Sequence, residues 1–249
     1  MNTRGKEVSL STSADRLGIT VEELDADDAR GVASFYQRVL APHFRADELE
    51  TQDNIAEGLK SGGTRALVAR TAEGTIAGGA VGDWFPQSRV LLLSYLAVPP
   101  EGRGAGTGGL LMKAVTDVWD RAFSPSLFVM EVEDPRHYQS DPALGDPQAR
   151  VRFYERLGVR ALPIPYFQPA LGPEGHRVPH LMLMVFGGAD APPGAERIDG
   201  RIVESFLTEY LEMCEGPVRP DDTEAQDLLA ACRRPGGLPL VRASELPAF

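Results

Sequence analysis

The run "GRGAGTGG", Gly102 to Gly109, gathers five glycines in eight residues directly before a helical apolar pattern. Glycine adopts backbone angles that other residues avoid, and with no side chain in the way successive amide N–H groups can approach an anion. The positive end of the following helix favours the same anion, so the chemistry of such a turn is the cradling of phosphate. A P-loop is excluded, because no Lys-Ser/Thr closes the run. Gly104, Gly106 and Gly109 satisfy the dinucleotide spacing, and Glu131, Glu133 and Asp134 stand at the end of the next strand. Against that reading, "PPEGR" (99–103) separates strand from glycines, and the unit follows a meander instead of opening a doubly wound sheet. A bare strand-to-helix turn is the remaining alternative.

Two carboxylates supply acid–base candidates. Glu131 and Glu133 alternate with Met130 and Val132, so both point to one face of a strand expected to be central. Burial there requires a functional or a pairing reason. Burial would lift a carboxyl pKa towards a general base's range, while the same groups could instead bind a substrate ammonium or pair with arginines. His137 is a second candidate base.

These residues depend on the elements around them. "GITVEEL" (18–24) reads as a first strand, and Val32, Phe35, Tyr36, Val39 and Leu40 give a helix one apolar face. A second helix is expected in "ELETQDNIAEGLK", ended by "SGG". "RALVAR" (65–70), "TIAGGAVGDWF" (75–85) and "SRVLLLSYLAV" (88–98) form an antiparallel meander. Leu110, Leu111, Ala114, Val115, Val118 and Trp119 trace the helix after the glycines, and "SLFVMEVED" (126–134) returns as a strand. A helix at 149–158, an interrupted proline-rich stretch and a strand at 179–188 complete the order. Beyond a linker at 189–195, Val203, Phe206, Leu207, Tyr210, Leu211 and Cys214 mark an amphipathic helix, followed by another in "DDTEAQDLLAAC".

Composition narrows the function. The 249 residues carry a net charge of −11, which disfavours nucleic acid and suits a cationic small molecule. The two cysteines and four histidines show no disulfide or metal-ligand pattern, so no metal is expected. The N-terminal residues lack the apolar core of a signal peptide, and "VLLLSYLAV" is too short to span a bilayer; no membrane partner and a cytoplasmic location are expected.

Arg103, Gly106 and Gly108 match the Arg-x-x-Gly-x-Gly/Ala pattern of motif A of the GCN5-related N-acetyltransferases (GNAT). "RFYERLGV" (152–159) resembles that family's motif B, and the element order matches along 18–188. The resemblance implies an acetyl-CoA-dependent N-acetyltransferase. In it the turn Arg103, Gly104, Ala105, Gly106, Thr107 and Gly108 would hold pyrophosphate, and the amides of Leu96, Ala97 and Val98 would hold pantetheine and the thioester oxygen. Tyr154 would protonate the departing sulfur. Many members carry a glutamate on the strand before motif A, where this chain has Ser94 and Tyr95, so Glu131 and Glu133 are the substitutes.

The loops 134–148 and 165–179 are expected to shape the acceptor pocket, with Tyr138, Tyr166 and Gln168 as contacts. The expected architecture is α/β (α+β), a GNAT-like mixed, mostly antiparallel sheet flanked by helices. Residues 1–17 are a flexible tail, 18–188 the acetyl-CoA-binding N-acetyltransferase domain, and 189–249 a helical C-terminal extension packed on it. Direct transfer to a primary amine of a small molecule is the expected activity. Modification of a protein lysine or N-terminus, or an acyl-CoA sensor without turnover, are the alternatives. The apolar face of the helix at 196–214 could pack internally or form a homodimer.

Overall fold

The computed structural model describes residues 18–172 and 175–248; the expected N-terminal tail lies outside them. Seven strands form a sheet in the order β1-β2-β3-β4-β5-β7-β6. They are β1 (Ile19–Glu23), β2 (Thr64–Thr71), β3 (Ile76–Phe85), β4 (Val90–Ala97), β5 (Leu127–Glu133), β6 (Arg160–Ala161) and β7 (Leu181–Gly187). The helices flanking them are α1 (Ala29–Phe35), α2 (Gln52–Ser61), α3 (Thr107–Phe123) and α4 (Pro147–Arg156). The chain then forms β8 (Arg197–Ile198), α5 (Gly200–Glu215), α6 (Thr223–Cys232) and β9 (Leu238–Pro239). Two compact units result: Met1–Asp83 with Leu93–Phe123, and Trp84–Leu92 with Ser124–Phe249.

In the first unit β1, β2 and β3 pair antiparallel, with Thr64 opposite Asp83, Ala66 opposite Val81 and Val68 opposite Gly79. Side chains alternate between faces, so these residues share one side of the sheet. On it Ala66, Val68 and Val81 meet Val32 and Phe35 of α1, Val39 and Leu40, and Ile55 and Leu59 of α2. Residues Tyr36–Leu40 continue α1 as a π-helical turn. Helix α2 begins at Gln52, four residues later than the apolar pattern suggests. Thr51 caps it by accepting from the Asn54 amide, and the preceding backbone is already bonded: the Tyr95 hydroxyl donates to the Glu48 carbonyl, and that of Tyr36 to the Glu50 carbonyl. Gly62, at φ 79°, ends the helix. Helix α3 buries Leu110, Leu111, Ala114, Val115 and Trp119 and packs on β1 and β2.

In the second unit β5 pairs antiparallel with β7, which also holds the two-residue β6. Leu127 and Val129 of β5 and Leu183 and Val185 of β7 share a core with Phe206, Leu207 and Tyr210 of α5 and Leu228 of α6. Among the described residues, those of β8, α5, α6 and β9 thus share their core with β5 and β7. Phe85 stands edge-on to both Phe206 and Tyr210, at centroid distances of 5.0 and 5.3 Å. Glu209 of α5 accepts from the amides of Gln87 and Ser88 and from the Ser88 hydroxyl, fastening the β3–β4 turn. The pair β8–β9 escapes sequence reading because two residues cannot establish an alternation. Among the described residues no helix is long and apolar enough to cross a membrane, and no group of three or more His, Cys, Asp or Glu is placed to hold a metal.

Candidate functional site

In the first unit the backbone leaves β4 at Ala97 and turns through Pro99 and Pro100, with the Gly102 amide donating to the Pro99 carbonyl at 2.9 Å. Arg103 folds back, its Nε donating to the Val98 carbonyl at 3.0 Å. Gly104 and Gly106 adopt φ of 81° and 93°, the left-handed region that favours glycine. The ladder of α3 starts where the Leu110 amide meets the Gly106 carbonyl at 3.1 Å. The amides of Thr107, Gly108 and Gly109 thus have no partner inside the helix. Residues 103–106 are exposed, whereas Thr107 is 1% exposed and its Oγ1 has no hydrogen-bond partner among the described residues. Beyond its chain neighbours, a Cβ on Gly104 would meet nothing of the described residues within 4 Å. Exposed backbone at 103–106, two left-handed glycines and an exposed arginine at the head of a helix suit an anion such as a diphosphate.

On β4, Leu96 is half-buried and Ala97 buried. Glycine at position 78 lets β3 pass close to this strand end, because a Cβ there would stand 2.8 Å from the Ala97 carbonyl oxygen. The same unit holds a carboxylate that sequence reasoning missed. Asp83, at the end of its antiparallel register with β2, accepts from the Thr64 hydroxyl at 2.6 Å through one oxygen and from the Ser94 hydroxyl through the other. Tyr95 and Ala97 belong to the cluster with α1 and α2 on the Asp83 side of the sheet. Consecutive residues Ser94 and Tyr95 therefore serve one face, a break in the two-residue alternation of β4. Burial pushes the Asp83 pKa up and the nearby Glu50 carboxylate adds to the shift, while the two hydroxyl donors oppose it. The signal in the sequence was only an aspartate inside an apolar strand pattern.

In the second unit the structure brings three of the expected residues together. The Tyr166 hydroxyl donates to Glu131 Oε1, and Gln168 Nε2 approaches Glu131 Oε2 at 3.4 Å. Tyr166 and Gln168 are 6% and 4% exposed, and Gln168 Oε1 has no partner among the described residues. Burial, then the Glu131 charge, holds the Tyr166 phenol well above its ordinary range. Glu133 is engaged differently: Arg150 of α4 donates to its Oε2 at 2.8 Å and to the Leu144 carbonyl. Tyr138 stands apart from that trio in bonding, its hydroxyl donating to the Pro179 carbonyl at 2.9 Å. The exposed His137 stacks on His180 with ring centroids 3.9 Å apart.

Tyr154 lies on α4, which starts at Pro147 behind the Asp146 cap and closes with Gly158 at φ 88°. Of the adjacent aromatics, Tyr154 turns inward with Val151, three residues before it, and Phe153 is half-buried. Burial raises the Tyr154 pKa, and the Arg150 charge moderates the shift.

The element order and sheet topology define a fold class. The chain is similar to the structure of a GNAT-family acetyltransferase from Bacteroides thetaiotaomicron, with a TM-score of 0.52 and 20% identity over 69% of this chain and 88% of that one. It has the GNAT acetyltransferase fold. Weaker likenesses are to spermidine N-acetyltransferase from Vibrio cholerae (17% identity, TM-score 0.46, 68% of this chain and 92% of that one) and to nourseothricin acetyltransferase (22%, 0.38, 51% and 66%). No family model matches the chain, and no curated protein does.

Proposed function

We propose that this chain is an N-acetyltransferase that moves an acetyl group from acetyl-CoA directly to a primary amine of a small molecule. The observation that carries this reading is the turn Arg103–Gly108: two left-handed glycines and unpaired first-turn amides at the head of a 17-residue helix, in a chain of GNAT fold. Arg103 and the amides of Gly104, Ala105, Gly106, Thr107 and Gly108 bind the pyrophosphate. The amides of Leu96, Ala97 and Val98 bind pantetheine and take up negative charge on the thioester oxygen as the amine nitrogen attacks. When the C–S bond breaks, Tyr154 gives its phenolic proton to the sulfur. No residue becomes acylated.

Glu131, Tyr166 and Gln168 serve the acceptor. A carboxylate and an amide oxygen suit the N–H donors of a cationic amine, in keeping with the net charge of −11. Glu133 is given to the Arg150 ion pair, and Tyr138 to its loop. Residues 18–188 form the transferase domain and 189–249 its extension. Thermal-shift measurements with acetyl-CoA, CoA and NAD test the cofactor: stabilisation by the first two is expected, and stabilisation by NAD alone would end the reading. Release of CoA thiol across a panel of primary amines then tests turnover and picks out the acceptor.

A further inference from the structure

Amine acetylation must dispose of two protons. The ammonium form of the acceptor loses one before its nitrogen can attack, and the nitrogen sheds another once the new C–N bond has formed. The second balances the proton that Tyr154 gives to the CoA sulfur, which leaves the first without an owner. Glu133 is held by Arg150 and Glu131 by Tyr166. On β4, Ser94 carries a hydroxyl and no basic group.

That serine leads to the answer, because its hydroxyl points at a carboxylate one strand away. Asp83 is fixed from both sides, by Thr64 of β2 and Ser94 of β4, and a carboxylate has about four lone-pair sites, so two remain. The residue is half-buried. Among the described residues neither Asp83 nor Glu50 forms an ion pair with Lys, Arg or His; the hydrogen-bond partners of Asp83 are hydroxyls, and the Glu50 carboxylate accepts from the Asn54 amide. Two neighbouring carboxylates without a cation are what an incoming ammonium would relieve. Ser94 also lies two residues before Leu96, about 7 Å along the strand from the amides assigned to the thioester.

We propose that Asp83 is the general base: it accepts one proton from the acceptor ammonium, with Thr64 and Ser94 as positioning residues and Glu50 as a second carboxylate favouring a cationic acceptor. The N–H bond breaks, an O–H bond forms on Asp83, and the freed lone pair attacks the thioester carbon. Asp83 later returns the proton to water. The assignment rests on the acetyltransferase reading above. Burial and Glu50 both make the carboxylate more basic than an exposed aspartate, which suits the task. Glu50 is the charged group acting on it; β2 and β4 face it with neutral hydroxyls.

Asp83→Asn keeps the shape and removes the basic oxygen. With a turned-over amine, its kcat/KM at pH 7 is expected to fall by about 100-fold or more. Its acetyl-CoA Kd, read by calorimetry, stays unchanged, and the deficit narrows as pH approaches the amine's own pKa, where free amine needs no base. Ser94→Ala removes a donor that lowers the Asp83 pKa, so the acidic limb of kcat/KM moves to higher pH; Glu50→Gln moves it lower. Wild-type rate and pH profile in Asp83→Asn would overturn the base while leaving acetyl-CoA binding intact. Should melting show that this variant does not fold, an unmoved acidic limb in Ser94→Ala overturns it instead. A wild-type protein that binds no acetyl-CoA sinks the acetyltransferase reading itself, and one that binds it but turns over no amine removes the base.

Discussion

Arg150 and Glu133 form an ion pair, Nη1 to Oε2 at 2.8 Å, that ties α4 to the end of β5. Glu133 is only 5% exposed, so the guanidinium offsets a desolvation cost that the carboxylate would otherwise bear in the native state. Arg150→Met is expected to lower the unfolding free energy by about 3 kcal/mol, and Glu133→Gln by less, because the amide needs no counter-charge. Urea titration of both variants measures the difference. Equal losses would mean that the charge on Glu133 is irrelevant to the pair.

Tyr154 sits on the same helix, where removing its hydroxyl leaves the ring in its packing place. Tyr154→Phe is expected to change stability by less than about 1 kcal/mol and to lower kcat by about 100-fold with the acetyl-CoA Kd unchanged. The pKa of this phenol is raised by burial, so it stays protonated above the ordinary phenol value of 10.0. Activity limited by this donor therefore persists through pH 10 and fails only above it. A wild-type kcat in the phenylalanine variant would remove Tyr154 from the reaction.

How far the sequence reaches is clearest in the contrast between the glycine turn and Asp83. The turn is a local object: five glycines in eight residues, a strand before and a helix after, all within a short stretch. The helix and strand patterns around it carry through for β1 to β5 and β7, because each is a periodicity inside one segment, whereas the two-residue β6 offers none. Asp83 gains its meaning from Thr64, nineteen residues earlier, and Ser94, eleven later, a coincidence that only strand register creates. Glu133 likewise reads in sequence as a base or as an arginine's partner, and only a helix seventeen residues on shows which arginine, Arg150, it meets. Glu131, Tyr166 and Gln168 were each visible singly, while their meeting required the chain to return after β6. Side chains that act through distant partners are illegible in a single sequence for this reason.

Gly104 gives a test of the turn that separates protein from ligand. Its φ of 81° makes alanine there cost about 1 kcal/mol in backbone strain, yet beyond its chain neighbours no atom of the described residues lies within 4 Å of the added carbon. Any larger effect must fall on what approaches from outside. Gly104→Ala is expected to shift the melting temperature by a few degrees and to weaken acetyl-CoA at least tenfold by calorimetry. Unchanged affinity would place the pyrophosphate elsewhere.

Arg177 gathers the acids of the C-terminal helices: its guanidinium donates to Glu215, Asp222 and Glu224 and lies 4.4 Å from the Phe167 ring centroid. The pairing lowers the Asp222 pKa from 3.8 to about 2 and raises that of Arg177. A depressed carboxyl binds its proton less readily in the folded than in the unfolded chain, so its stabilisation is whole above about pH 4 and is lost as pH falls towards 2. Arg177→Met removes the partner and leaves three carboxylates repelling one another. At pH 7 it is expected to cost about 2 kcal/mol, and the cost shrinks below pH 4 as the acids become neutral. Acid melts of the two proteins should therefore converge. Curves that stay parallel down to pH 2 would show that Arg177 contributes through its stacking on Phe167 and not through its charge.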